Sequence, residues 1–171
     1  MQQECRQPRE MEPRFVCDAM LGGLARWLRF AGYDATWTPH IDDWDLIRLA
    51  RAEQRVLLSS DTGIFRISRI RDGRQPALWV PNGLTKEQQL AHVLEQFRLQ
   101  PHSPRCTICN GTLVEVAKHQ VREHVPPRSF AWKEQFWQCS RCGKVFWEGT
   151  HWQRMAKILE CLGNKQTTNL S

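Results

Sequence analysis

The sequence predicts an α/β fold with a mostly parallel sheet, followed by a small β ribbon and a carboxyl-terminal helix. Two observations predict it. Short apolar segments alternate with amphipathic ones over residues 14–100, which is typical of β-α units joined by right-handed crossovers. Beyond the proline-containing linker at 100–104, short strand-like segments surround two closely spaced pairs of cysteines. We therefore predict an α/β domain at 14–100 and a ribbon with its helix at 101–162, between disordered tails at 1–13 and 163–171.

The α/β part is predicted to contain four strands and four helices in alternation. Each strand is a short apolar segment, and each helix has apolar residues at helical spacing. Gly32 ends the first helix. Asp42 or Asp43 caps the second helix, and Thr85 caps the fourth. The predicted strands are 14–17, 35–37, 56–59 and 77–80, and the predicted helices are 21–31, 42–53, 62–70 and 85–97.

The second part is predicted to form three strands, at 112–116, 135–138 and 144–147. The segment between the first two strands is polar and contains two adjacent prolines. A final helix begins at Thr150 and runs to Cys161, after which the chain is expected to fray. Its apolar face is expected to dock on the ribbon or on the sheet.

Four cysteines predict a metal centre in the ribbon. Cys106 and Cys109 form one Cys-x-x-Cys pair, and Cys139 and Cys142 form another. Each pair lets two thiolates reach one ion from a tight turn, and two pairs complete a tetrahedral site. Gly143 follows the second pair, where the backbone must turn sharply. We predict structural zinc, with a redox dithiol, a disulfide pair or an iron–sulfur cluster as alternatives. Four sulfurs leave no position for water, so this metal is not expected to take part in catalysis.

Composition favours a polyanionic partner. The net charge is +6, and residues 101–171 carry 10 Lys and Arg against 5 Asp and Glu. A basic half beside a nearly neutral one suggests that one part holds a polyanion that the other processes, although a merely basic soluble surface is the alternative. No apolar run approaches about twenty residues, so no membrane partner is expected. Cys5, Cys17 and Cys161 remain as free thiols, which favours a cytoplasmic location.

Acidic side chains follow two of the predicted strands. Asp18 comes directly after the first strand, and Asp61 follows the third. The carboxyl ends of parallel strands share one edge of a sheet, where two carboxylates suit Mg²⁺ or Mn²⁺. Asp42 or Asp43, at the start of a helix, is a candidate third ligand. The alternatives are that Asp18 is a turn residue and that the other acids are helix caps.

The chain resembles the Mut-7 C-terminal RNase family over about residues 14–156. The resemblance is carried by both acidic segments and by both cysteine pairs together. The matching segments are FVCDAMLGGLARWLR at 15–29 with GYD at 32–34, RVLLSSD at 55–61, PRC at 104–106 with CNG at 109–111, WQC at 137–139 and CGK at 142–144. The resemblance implies a PIN-like three-layer nuclease domain, in which clustered acids bind divalent metal and hydrolyse RNA.

The resemblance further implies that Asp18, Asp43 and Asp61 form the catalytic cluster. Asp18 and Asp61 would hold Mg²⁺ or Mn²⁺, which activates a water for attack on the phosphodiester. Asp42 and Asp45 compete with Asp43 for the third position. The usual family pattern has a fourth acid, and Asp72 is the remote candidate.

Cationic side chains are expected to contact single-stranded or structured RNA. Arg26, Arg66 and Arg69 lie on helices that border the acidic edge in the prediction. In the ribbon, Arg141 and Lys144 lie beside aromatic residues, an arrangement that suits unpaired RNA. The alternatives are solvated helix faces and a small aromatic core of the ribbon. Lys133, Trp132, Trp137 and Phe146 complete the ribbon set.

The sequence thus predicts a metal-dependent ribonuclease with a zinc ribbon that aids RNA binding. Two alternatives from other classes stay open. One is a non-catalytic zinc-ribbon RNA-binding module, in which the acids are caps, and the other is a protein-interaction adaptor.

Overall fold

The sheet contains four short strands, β1 (Phe15–Cys17), β2 (Ala35–Trp37), β3 (Val56–Ser59) and β4 (Ala77–Trp79). All neighbours are parallel, and the order is β2-β1-β3-β4. β1 lies between β2 and β3, with Phe15 paired to Ala35 on one side and to Val56 on the other. The predicted parallel sheet is confirmed, and its two central strands are those that precede Asp18 and Asp61.

Helices cover both faces of this sheet. Because successive strand side chains point to opposite faces, Leu58 packs in the core with Leu24 and Leu90, whereas Leu57 packs in the other core with Leu46. This arrangement gives the three-layer α/β fold that the sequence predicted. The helices of this part are α1 (Gly22–Phe30), α2 (Asp43–Ala52), α3 (Ser68–Arg71) and α4 (Lys86–Gln96).

The predicted helix ends are mostly confirmed. Thr85 and Gln88 form a reciprocal capping box at the start of α4. Gly32 follows the end of α1 with a φ of 102°, a conformation that favours glycine. Asp42, rather than Asp43, caps α2 by accepting a hydrogen bond from the Asp45 N–H.

The predicted helix at 62–70 is wrong as a single element. A 3₁₀ turn at Ile64–Arg66 is followed by the four-residue α3. Ile67 between them has extended backbone angles, φ −65° and ψ 127°, which interrupt the helical hydrogen bonds. Ile64 and Ile70 are both buried on the α2 side of the sheet, so core packing sets this broken path.

The second part forms an antiparallel ribbon in the order β5-β6-β7. Its strands are β5 (Leu113–Val116), β6 (Phe136–Cys139) and β7 (Val145–Phe146). The polar segment between β5 and β6 is more regular than the sequence suggested. It contains a 3₁₀ turn at Lys118–Val121 and a short helix, α5 (Pro127–Trp132), with Pro127 in the first turn, where its missing N–H costs nothing. Phe136 and Val121 lie at the centre of a small ribbon core.

The terminal helix, α6 (Thr150–Thr168), is longer than predicted. It continues beyond the expected end at Cys161 to Thr168, so the fraying predicted from residue 163 onward is wrong for residues 163–168. Met155 and Leu159 of α6 are buried in the core of α1 and α4, so the helix docks on the α/β domain. Trp152 touches both parts, because its ring stacks on Trp137 of β6 at 5.5 Å and meets Phe30 of α1 edge-on at 4.9 Å.

The computed structural model describes residues 12–168. Almost all of the predicted tail at 1–13 lies outside the described residues, as does the end of the second tail, 169–171. Among the described helices, none combines the length and apolar character needed to span a membrane.

Buried polar contacts attach the ribbon to the α/β domain. Arg29 on α1 donates from Nη1 to the carbonyl oxygens of Thr107 and Ile108, at 3.1 and 2.9 Å. Asn110 donates from Nδ2 to Asp34 Oδ1 at 2.7 Å. Arg29 and Asn110 are both buried, and buried hydrogen bonds are expensive to leave unmade. The first cysteine pair is therefore fixed on the edge of the α/β domain.

Candidate active site and metal centre

The acidic edge is the end of the sheet at which β1 and β3 lead into Asp18 and Asp61. It lies where successive strands are added on opposite sides of the sheet. From β1 the chain crosses to β2 on one side, and from β3 it crosses to β4 on the other. In open parallel sheets, ligands bind at the carboxyl ends of such central strands. Asp18 directly follows β1, and its N–H donates to Leu58 O of β3 at 2.9 Å. Asp61 follows β3 by two residues, so both predicted acids reach this edge.

Ser59, the last residue of β3, connects these two acids. Its hydroxyl donates to Asp18 Oδ2 at 2.6 Å and accepts the Asp61 N–H at 3.0 Å. Ser59 is fully buried and Asp18 is 7% exposed, so the bond is shielded from water. Asp61 is exposed, and its Oδ1 accepts the Gly63 N–H at 2.7 Å. The Asp61 side chain stabilises a local turn instead of capping a helix.

Of the three acids that compete for the third position, Asp43 is the one whose pKa responds to the charges of both Asp18 and Asp61. Burial raises the pKa of Asp43, and the negative charges of Asp61, Asp18 and Asp42 raise it further. Asp42 instead caps α2, and Asp45 accepts a hydrogen bond from Arg48 at 2.5 Å. Three carboxylates therefore share one electrostatic environment at this edge.

Asp72, the remote candidate for a fourth acid, lies elsewhere. It follows α3 and precedes β4, at the opposite edge of the sheet, because the connection between parallel strands returns to their amino ends. Its carboxylate pairs with Arg71 at 3.0 Å and with Arg74 at 2.8 Å. Asp72 therefore cannot join the cluster.

The four cysteines converge as predicted. Their Sγ atoms all lie within 4.8 Å of one another, and two of the separations are 3.3 Å, between Cys109 and Cys139, and 3.7 Å, between Cys106 and Cys142. Four sulfurs at about 2.3 Å from a tetrahedral zinc lie about 3.8 Å apart, so the group fits zinc closely. Within the described chain no other three His, Cys, Asp or Glu side chains converge this tightly, and the three aspartates are farther apart.

The backbone around the cysteines is built to aim them inward. Asn110 and Gly143, the residues after each pair, have φ of 68° and 70°. A side chain on Gly111 would place its Cβ 2.7 Å from Cys139 Sγ, so glycine is required there. Burial raises the pKa of the Cys139 thiol, but the N–H groups of Cys142 and Arg141, together with the neighbouring thiols, outweigh it and lower the pKa to about 6. Such a thiolate is ready to bind a metal.

Cys17 is not a nucleophile candidate. Burial raises the pKa of its thiol to about 12, with smaller opposing effects from Arg29 and Arg55. Its side chain belongs to the core beneath α1. The six cysteines within residues 12–168 are all free, whereas Cys5 lies outside the described residues.

Comparison with known proteins agrees with this arrangement of acids and cysteines. A family model described as "Mut7-C RNAse domain" matches residues 13–159. The chain belongs to the Mut7-C RNase domain family. A curated human protein named "Exonuclease mut-7 homolog" is 36% identical over 102 residues, which are 57% of this chain and 12% of the human protein. The chain therefore corresponds to a small part of that relative. Family membership implies a nuclease-type function.

The cationic residues expected to bind RNA in this Mut7-C domain lie in three different places. Arg26 of α1 and Lys144 of the ribbon line one groove. Arg66 and Arg69 are exposed on the elements that cover the opposite face of the sheet. Arg141 donates from Nη1 to Cys109 O at 3.1 Å, so it supports the cysteine centre. Of these cations, the structure brings only Arg26 and Lys144 together in one groove.

Sequence reasoning missed Ser59, Arg29 and Asn110. Ser59 had a weak signal, since it stands two residues before a candidate acid at a strand end. Arg29 had a weaker signal, namely that it is a charged residue on the apolar face of a helix. Asn110 had none beyond its position after a cysteine pair, and its contact with Asp34 exists only because the ribbon folds back on the domain.

Proposed function

We propose that this Mut7-C domain hydrolyses phosphodiester bonds of single-stranded RNA at the acidic edge, using Mg²⁺ or Mn²⁺. The observation that carries the proposal is that Asp18 and Asp61 follow the two central strands at their carboxyl ends, with Asp43 close enough for its charge to interact with both. Burial and then the neighbouring negative charges raise the pKa of Asp43, and a divalent cation between the carboxylates would offset the repulsion among them.

The donor set suits a hard cation. Mg²⁺ takes oxygen ligands and usually keeps several waters, so one or two carboxylates plus the phosphates of a substrate are enough to hold it. A bound Mg²⁺ or Mn²⁺ would lower the pKa of a water and neutralise charge on the phosphate during hydrolysis.

The side chains of the edge have distinct roles in this proposal. Asp18 is the fixed ligand, because Ser59 holds its Oδ2 in place. Asp61 is the exposed ligand that meets the substrate phosphate. Asp43, whose charge interacts with both Asp18 and Asp61, orients the attacking water.

The cysteine centre is proposed to hold structural zinc. Four thiolates close the coordination sphere, so its contribution is to fold the ribbon and keep it on α1. The exposed free thiol of Cys161 suits a reducing compartment such as the cytoplasm.

Cleavage of a labelled single-stranded RNA in the presence of Mn²⁺ tests the proposal. Asp61→Asn should reduce cleavage by orders of magnitude while the protein stays folded and still binds RNA. Asp72→Asn is the matched control, because Asp72 lies at the opposite edge and should leave the rate unchanged. No metal-dependent cleavage by pure wild-type protein would instead favour the non-catalytic RNA-binding module, which the cationic groove supports.

A further inference from the structure

Two cavities adjoin each other at α1 and at the start of α6. The larger, the inter-lobe groove, measures about 630 Å³ and lies between α1, the ribbon, α5 and the start of α6. The second cavity measures about 560 Å³ and reaches Met20, two residues after Asp18. Arg26, His151 and Met155 line both cavities. The two cavities therefore share a wall, and the second one ends beside the turn that follows Asp18.

The inter-lobe groove is cationic. It receives basic side chains from α1, from α5 and from the ribbon, and no Asp or Glu is among its lining residues. Elements far apart in sequence therefore contribute charge of one sign to a single concave surface. Such a surface favours a polyanion over a peptide, whose own charges are mixed. The cationic lining residues are Arg26, Arg128, Lys133 and Lys144.

The same groove offers aromatic rings. Trp132, at the end of α5, is 80% exposed. Burying so large a side chain is worth a few kcal/mol, so its exposure at the rim is unfavourable in the free protein. Trp152, which also lines the groove, is already stacked on Trp137. Trp132 is therefore the most exposed aromatic ring among the residues that line this groove.

We propose that the inter-lobe groove binds unpaired nucleotides of an RNA strand, with one base stacked on Trp132, and that the second cavity leads this strand to the acidic edge. An indole stacks on a base only when that base has left a helix, so the site selects single-stranded RNA. In the second cavity Lys86 and Arg154 face the backbone, with Glu87 the acid among its lining residues. Delivery to the edge rests on the proposed nuclease function, whereas binding in the groove does not.

Binding to the zinc-loaded full chain, measured by fluorescence anisotropy with an end-labelled single-stranded RNA and no added Mg²⁺ or Mn²⁺, tests this inference. Trp132→Ala should weaken binding about tenfold or more, and Trp132→Phe should retain most of the affinity because it keeps a ring. Trp79→Ala is the control for losing an exposed indole, since Trp79 is 44% exposed on β4, away from both cavities. Arg128→Glu should weaken binding and flatten its salt dependence, whereas Arg51→Glu on α2 should not.

The outcomes separate groove binding from catalysis. Loss of affinity in Trp132→Ala, with no cleavage by wild type under Mn²⁺, would support the groove and count against the nuclease proposal. Metal-dependent cleavage by wild type, with unchanged RNA affinity in Trp132→Ala and Arg128→Glu, would overturn the groove while leaving the nuclease proposal intact. Equal affinity for duplex RNA, unaffected by Trp132→Ala, would also overturn it.

Discussion

The Ser59 hydroxyl of β3 donates a 2.6 Å hydrogen bond to the Asp18 carboxylate, which directly follows β1. The two residues are 41 positions apart in sequence, yet both are buried at the carboxyl edge of the sheet. Ser59 also accepts the Asp61 N–H, so one side chain sets the relation between two candidate metal ligands.

Ser59→Ala should lower metal-dependent cleavage about tenfold or more, because Asp18 loses the donor that fixes its Oδ2. The lost hydrogen bond should reduce the free energy of unfolding by only about 1 kcal/mol. Ser60→Ala, next to it and also buried, is the control and should retain activity. Rates measured at equal protein and Mn²⁺ concentrations decide this, and an active Ser59→Ala would show that the bond is only structural.

Asp43→Asn should abolish most cleavage, whereas Asp42→Asn and Asp45→Asn should each leave at least half of it. The reason is that Asp43 is the acid of the three whose charge interacts with Asp18 and Asp61, while Asp42 caps α2 and Asn caps about as well as Asp. Cleavage rates of the three variants, with circular dichroism to check folding, make the comparison. Equal losses of cleavage in all three variants would contradict a special role of Asp43 and would mean that any change at the start of α2 impairs the site.

Cys109→Ser or Cys142→Ser should prevent tight binding of one zinc per chain and lower the melting temperature sharply. Folding of a small ribbon draws on the free energy of metal binding, so several kcal/mol are lost with the ion. Metal analysis and thermal melts measure both effects, and Cys161→Ser is the control because Cys161 is an exposed free thiol. A melting temperature that zinc removal leaves unchanged would contradict a structural role.

Asp34→Asn should destabilise the protein at neutral pH but not in acid. Burial alone would raise the pKa of Asp34, yet hydrogen bonds from Arg55 and Asn110 outweigh it and lower the pKa to about 2. A depressed pKa stabilises the fold above the unfolded value near 4, and this contribution is lost as pH falls toward 2. The expected difference at pH 7 is about 1 kcal/mol after allowance for solvent screening of this partly exposed group.

Denaturant unfolding of wild type and Asp34→Asn between pH 7 and pH 2 measures that difference. Zinc content measured beside each unfolding curve separates loss of the ion in acid from the effect of Asp34, whose partner Asn110 follows Cys109. A difference that stayed constant with pH would mean that the effect of the variant is not electrostatic.

Local features were well predicted from the sequence. The positions of the parallel strands, the Thr85 capping box and the cysteine pairs depend on a few neighbouring residues, and each has a strong signature. The predictions that failed concern the continuity and the length of helices, which depend on packing against distant residues. The helix at 62–70 breaks at Ile67 because Ile64 and Ile70 must both reach the core, and α6 continues to Thr168 although glycine stands at 163.

The sequence by itself determined which chemistry is present: carboxylates at the ends of buried strands, two thiolate pairs and a basic second half. Only the tertiary structure decided which of these groups meet. The charge of Asp43 interacts with Asp18 whereas Asp42 caps α2, and Arg26 shares a groove with Lys144 while Arg66 lies on the opposite face. The physical reason is that side-chain proximity across 20 to 120 positions is set by strand order and by burial of apolar faces, which no local pattern encodes.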